Sequence, residues 1–238
     1  MNNSKLSGLL ACVGLLGGCT KEKLPPAVVL TGKVELVTEF GTPVVAGSGI
    51  STESIQVKTA VDSTATDPDG RYKVRGASRA QTLTFAKTYI GTYRMINYLP
   101  QKGQEVPLVK LGVRPSYTIA SAYVKVGADS VYVQGVVGTE NIPGLPPRRH
   151  RLFFQSGPVS PLNYSLSVGG ETNIGNNRYI DAVPFSLLRA AGLLPGTPIQ
   201  LKVYADNAYA DTYLDSTGQK LVYPAVSYFG SNNVIFTY

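Results

Sequence analysis

From Val28 onward, apolar and polar residues alternate in short runs, and no long segment carries a 3.6-residue apolar period. Alternation puts every second side chain on one face of an extended chain, so each run reads as a half-buried β-strand. The runs are Gly32–Val37, Ser54–Thr59, Arg71–Val74 and Thr82–Ala86, followed by Ser121–Val126, Ser130–Val136, Arg151–Gln155, Tyr164–Val168, Ile199–Ala205 and Asn233–Tyr238. Gly, Pro, Asn and Asp punctuate them at short spacing, which predicts an all-β sandwich or barrel. One short helix stands out. Pro184 suits its start, Phe185–Ala191 makes two turns, and Gly192 suits a left-handed C-terminal cap.

The pattern breaks near Val113-Arg114-Pro115-Ser116. Before the break, Gln104–Leu111 closes a first sheet; after it, Ala122–Val126 and Val131–Val136 form a hairpin across Gly127-Ala128-Asp129. The expected modules are residues 28–112 and 113–238, each large enough for its own core.

The remaining apolar run, Leu6 to Gly18 behind Lys5, is shorter than the roughly 20 residues of a membrane span. It has the layout of a secretory signal, with residues 1–18 removed. Its end, Leu16-Gly17-Gly18-Cys19, resembles the lipobox of bacterial lipoprotein signals, which implies lipid (palmitate among the acyl chains) on Cys19. Leu9-Leu10-Ala11-Cys12 is a second formal match, with too short an apolar region before it. A plain signal peptide or an uncleaved anchor are the alternatives. Thr20 after the Cys fits sorting to the outer membrane, and residues 19–27 then read as a charged, Pro-stiffened tether on either its periplasmic or its surface face.

Composition narrows the chemistry. Cleavage before Cys19 discards one of two Cys, leaving no intramolecular disulfide, and loss of Lys5 lowers the formal charge from +7 to +6. There is one His, no Trp and 15 Tyr in 238 residues. Few nucleophile–base or soft-metal constellations can be assembled from that set, so no catalytic residue, metal site or cofactor is expected.

The first module carries a resemblance. Thr31-Gly32-Lys33-Val34, Gly41-Thr42-Pro43-Val44, Ile55-Gln56-Val57, Asp67-Pro68-Asp69-Gly70-Arg71-Tyr72 and Thr82-Leu83-Thr84-Phe85 resemble the carboxypeptidase regulatory-like family. That resemblance implies a transthyretin-like sandwich of seven strands with Tyr72 packed inward, and no peptidase activity. The extended Gly47–Glu53 loop and Tyr89-Ile90-Gly91-Thr92-Tyr93, where the family has a simpler Gly-Tyr turn, depart from the family pattern. In the second module, Val183–Leu188, Ala191–Gly196 and Ile199–Ala205 resemble immunoglobulin-like domains of glycan-utilisation outer-membrane lipoproteins, in which a short helix crosses between sheets.

Candidate sites are few. Asp67-Pro68-Asp69-Gly70 fails as an EF-hand, since Ala65 and Gly76 fall where acids are required; it reads as a hairpin turn, with a weak surface Ca²⁺ site left open. Gly76-Ala77-Ser78-Arg79-Ala80 nearly spells a nucleophile elbow but lies between two antiparallel strands, and His150 has no acid beside it in sequence. Arg148-Arg149-His150-Arg151 reads as a solvated loop before a strand, or as a grip on phosphate, lipopolysaccharide or acidic glycan; it is too short to imply nucleic acid. Tyr204, Asp206, Asn207, Tyr209, Asp211, Tyr213 and Asp215 form the densest polar-aromatic stretch and are the expected ligand contacts, because sugars stack on rings and bond to carboxylates and amides. The expected role is a non-catalytic outer-membrane accessory lipoprotein binding polysaccharide or a transporter in a glycan-uptake assembly. The alternative is a structural or adhesive scaffold for another envelope protein.

Overall fold

The computed structural model describes residues 26–45, 48–138, 144–172, 176–209 and 211–238. The expected signal peptide, Cys12 and Cys19 lie outside them. Within them the chain is nearly all β, built from packed sheets with no closed barrel.

Seven strands make the first core. They are β1 (Ala27–Val37), β2 (Gln56–Lys58), β3 (Ser63–Ala65), β4 (Arg71–Ala77), β5 (Gln81–Lys87), β6 (Gly91–Tyr98) and β7 (Val109–Gly112). One sheet has the order β4-β1-β7 and the other β3-β2-β5-β6. Only β1–β7 is parallel among these pairings. The alternating inward residues of both sheets, among them Leu30, Val34, Val57, Val74, Leu83 and Phe85, share one buried cluster, so the sheets face each other as a sandwich. The Asp67–Gly70 turn, expected as a hairpin, instead carries the chain from β3 in one sheet to β4 in the other; Gly70 has φ 77°, and the Asp67 carboxylate accepts the Arg71 N–H at 2.8 Å.

The second core follows with β8 (Ile119–Val126), β9 (Ser130–Val137), β10 (Arg149–Gln155), β11 (Leu166–Glu171) and β12 (Arg178–Pro184). It is completed by α1 (Phe185–Ala190), β13 (Ile199–Asp206), the small hairpin β14 (Tyr213–Leu214) and β15 (Leu221–Val222), and β16 (Val234–Phe236). The sheets are β12-β9-β8 and β11-β10-β13-β16. The helix leaves one sheet at Pro184 and delivers the chain to the other at Ile199. Gly192, with φ 77°, ends it as expected, the Leu193 N–H returning to the Leu188 carbonyl at 3.0 Å.

Two strands differ from expectation. At Tyr89-Ile90-Gly91-Thr92-Tyr93 the chain turns over Lys87–Ile90 and then enters β6 at Gly91, a strand absent from the expected runs. Arg148–Arg151 is not a loop leading into a strand; its last three residues already belong to β10.

The same device recurs in both cores: a tyrosine ring laid over a cross-strand glycine. Gly32 opposes Tyr72, and a Cβ there would sit 2.5 Å from the Tyr72 hydroxyl. Gly135 opposes Tyr179, where a Cβ would sit 2.4 Å from the hydroxyl. Tyr204 over Gly230 repeats the arrangement near the seam between the cores, and Tyr209 lies over Gly41, a turn glycine with φ 79°. Each bridged glycine removes the side chain that would hold the ring off the sheet.

Candidate functional site

The stretch after β13 runs along the first sandwich, and its polar groups are largely engaged there. Asn207, 6 % exposed, donates through Nδ2 to the carbonyls of Thr38 (2.8 Å) and Val113 (3.0 Å) and lies 3.5 Å from that of Val37. Its Oδ1 accepts the Tyr209 N–H at 3.0 Å, so the network assigns the amide orientation without ambiguity. Asp211 occupies the outer edge of β7, its carboxylate accepting the Lys110 N–H at 2.8 Å and its own N–H reaching the Lys110 carbonyl at 3.2 Å. Asp206 is buried and paired with Arg151 at 2.7 Å. Tyr209 covers Gly41.

The connecting segment adds to the seam. Arg114 donates to the Val226 carbonyl at 3.2 Å and stacks 3.7 Å over the Tyr228 ring, whose hydroxyl donates to the Thr88 carbonyl. Glu39 accepts both the N–H and the hydroxyl of Ser116. Burial pushes the Arg114 guanidinium below its ordinary pKa, and none of the ion pairs among the described residues includes it.

Beside this seam lies an open cleft of about 520 Å³. Its aromatic lining is Tyr204, Tyr213, Tyr223 and Tyr228, and its charged lining is Arg94 and Arg114, with no carboxylate. Tyr204 is held edge-on against Phe153 (5.6 Å, 83°), and Tyr213 edge-on against Tyr93 of the first sandwich (5.7 Å, 87°). The chain between β10 and β11 supplies Ser160-Pro161-Leu162, and Leu162 is 75 % exposed. Hollows of about 480 and 300 Å³ adjoin the cleft, and Arg94 and Tyr213 line all three. Arg94 faces outward because Tyr93 and Met95 on either side of it pack against the core. It belongs to none of the ion pairs among the described residues.

Of the seven residues expected from sequence, Tyr204 and Tyr213 line the cleft, and Asp215 joins Tyr213 in the adjoining hollows. Asp215 caps its own turn: the Thr217 hydroxyl and backbone N–H groups of Thr217, Gln219 and Lys220 hold its carboxyl below the ordinary carboxylate range. Asp206 and Asn207 flank a separate recess of about 80 Å³. Sequence reasoning missed Arg94, Arg114, Tyr223 and Tyr228. Arg94 had a readable signal, a charge flanked by two core-facing residues; the others depend on how the two sandwiches meet.

The cationic run resolves into individual contacts. Arg149 pairs with Glu171 at 2.7 Å, Arg151 stacks 3.8 Å over Tyr223, and Arg148 lies 4.9 Å over Tyr117. His150 is fully buried, with Nε2 2.5 Å from Asp181 and its ring 4.2 Å from that of Tyr179. This contact ties β10 to β12 across the core. Ser78 sits in the β4–β5 turn of the other sandwich. Among the described residues, no group of three or more His, Cys, Asp or Glu is placed to hold a metal ion.

No protein-family model matches the chain, and no curated protein matches it. Among solved structures it is similar to a proposed carbohydrate binding protein from Bacteroides uniformis, at 10 % identity and TM-score 0.33, over 88 % of this chain and 98 % of that one. It is also similar to DUF3823 family proteins from Parabacteroides merdae (12 %, TM-score 0.34, 90 % and 100 % covered) and from Bacteroides uniformis (13 %, TM-score 0.33, 89 % and 99 % covered).

Proposed function

We propose that this protein is a non-catalytic, polysaccharide-binding lipoprotein of the outer membrane, an accessory in a glycan-uptake assembly, anchored through lipid on Cys19. The observation that carries the binding role is the cleft of four tyrosines and two arginines at the seam. Ring faces take the apolar faces of sugars, and hydroxyl and guanidinium donors bond to their oxygens. A shallow, open cleft suits a chain laid along it. Both sandwiches contribute residues to the cleft. The lipobox-like end of the leading apolar run supports the anchor.

Two measurements test this. Full-length protein in detergent micelles is titrated calorimetrically against a panel of neutral and acidic polysaccharides; Tyr213→Ala is expected to weaken whatever binding is found by about tenfold, the worth of one lost stacking contact. No heat with any polymer defeats the binding role. Palmitate labelling is expected to vanish in Cys19→Ser; a label that persists places the acyl chain elsewhere.

A second reading has its own support. Tyr123, Tyr132 and Ile180 stand exposed on the outer face of the β12-β9-β8 sheet, a surface suited to an envelope protein. Capture of an outer-membrane transporter that Tyr123→Asp abolishes, with no polymer binding, would favour the scaffold.

A further inference from the structure

The charge of the cleft is one-sided. Arg94 and Arg114 line it, no Asp or Glu does, and neither guanidinium has a carboxylate partner among the described residues. Asp215 is the one acid in the adjoining hollows, and its Oδ1 is engaged by the donors of its own turn, while Lys220 shares the 300 Å³ hollow. Many exposed cations among the described residues, such as Arg71, Lys73 and Lys125, are also outside the ion pairs, so what sets Arg94 apart is its place in the hollows. Arg114 is half-buried and compensated by a ring face and a carbonyl, so part of the cleft's positive field stays uncancelled. Arg94 is exposed, held on a paired strand, and central to three contiguous hollows.

We infer that the cleft selects acidic polysaccharide, with Arg94 forking onto a carboxylate or sulfate of a sugar ring stacked at Tyr213. The guanidinium fork matches both anions with two parallel N–H···O bonds, and a partner from outside is what it lacks. Because hollows extend from Arg94 in more than one direction, the bound group belongs to the interior of a chain, with neighbouring sugars continuing into them. The inference rests on the polysaccharide-binding role proposed above and adds the charge of the ligand.

The test compares matched polymers on full-length protein in micelles: polygalacturonate against its methyl ester, and dextran sulfate against dextran. At least one acidic polymer is expected to bind about tenfold tighter than its neutral counterpart, and Arg94→Gln to shrink that preference to about threefold or less. Which pair shows the preference tells carboxylate from sulfate. Lys125→Gln, an exposed cation on β8 away from the cleft, is expected to leave the preference intact. Equal affinity for charged and neutral polymers overturns the inference while leaving polysaccharide binding in place. So does a preference that survives Arg94→Gln, or one that Lys125→Gln erodes equally, which would mark a diffuse charge effect. Failure to bind any of these four polymers overturns this inference, while the binding role is decided by the wider panel.

Discussion

Replacing Asn207 by Ala should loosen the two sandwiches from one another. The amide reaches three carbonyls, but their dependence on it differs. The Val37 carbonyl also takes the Val113 N–H, and the Thr38 carbonyl also takes the Gly41 N–H, both at 2.9 Å. The Val113 carbonyl has no second donor among the described residues, and the Tyr209 N–H loses the acceptor it had in Oδ1. Three good hydrogen bonds lost at about 0.5–1 kcal/mol each, plus one orphaned carbonyl at about 1 kcal/mol, give roughly 2.5–4 kcal/mol. For a chain of this size that is a fall in Tm of about 5–15 °C. Scanning calorimetry on the full chain should show the fall and a broader transition, because two of the bonds lost are among those joining the cores. Asn207→Asp should be as severe: it keeps the shape but points oxygen at the carbonyls. A Tm within about 1 °C of the original for either variant would refute the argument that donors at this position hold the seam.

Three further outcomes follow from the same contacts. A Cβ at Gly170 would fall 2.3 Å from Asp181 Oδ1 and 2.5 Å from His150 Nε2, so Gly170→Ala should separate the pair and cost about 1–3 kcal/mol in urea unfolding; an unchanged midpoint would mean the pair moves freely. Gly70→Ala meets both φ 77° and a backbone oxygen 2.2 Å from its Cβ, so it should destabilise by more than about 1 kcal/mol, and a neutral result would show the turn can be rebuilt. Burial pushes the Tyr164 phenol up to about 12 and those of Tyr72, Tyr117 and Tyr179 well above the ordinary value. A raised pKa contributes stability that is complete below the unfolded value near 10 and is lost as pH rises through the folded one, so the protein should unfold in alkali. Absorbance at 295 nm should show these phenols ionising together with loss of circular dichroism; ionisation of every Tyr near pH 10 with the fold intact would contradict it.

The abundance of Tyr changes meaning once the chain is folded. In sequence, Tyr204, Tyr209 and Tyr213 among three Asp suggested a ligand surface. In the structure Tyr209 lies over Gly41, Tyr204 over Gly230, and Tyr213 against Tyr93. Two of the same rings also present themselves to the cleft, so packing and exposure to ligand are combined in single side chains.

Strand alternation, the Gly70 and Gly192 turns and the inward Tyr72 were legible in the sequence because each rests on local rules: a period of two, a positive φ, a face shared with Val74. Short or irregular strands such as β3 and β6 were not, since three-residue pairing and a bulged edge leave little periodicity to read. The site depended on tertiary structure almost wholly. Arg94 and Tyr213 are 119 positions apart in the chain, and Asn207 finds its acceptors around residues 37, 38 and 113. No local pattern encodes a meeting between distant segments, because what brings them together is the burial of each sandwich's own core and the fit of the two surfaces left over. The sequence by itself determined two β modules and where the chain turns; only their packing decided which polar groups are consumed by the seam and which face the cleft.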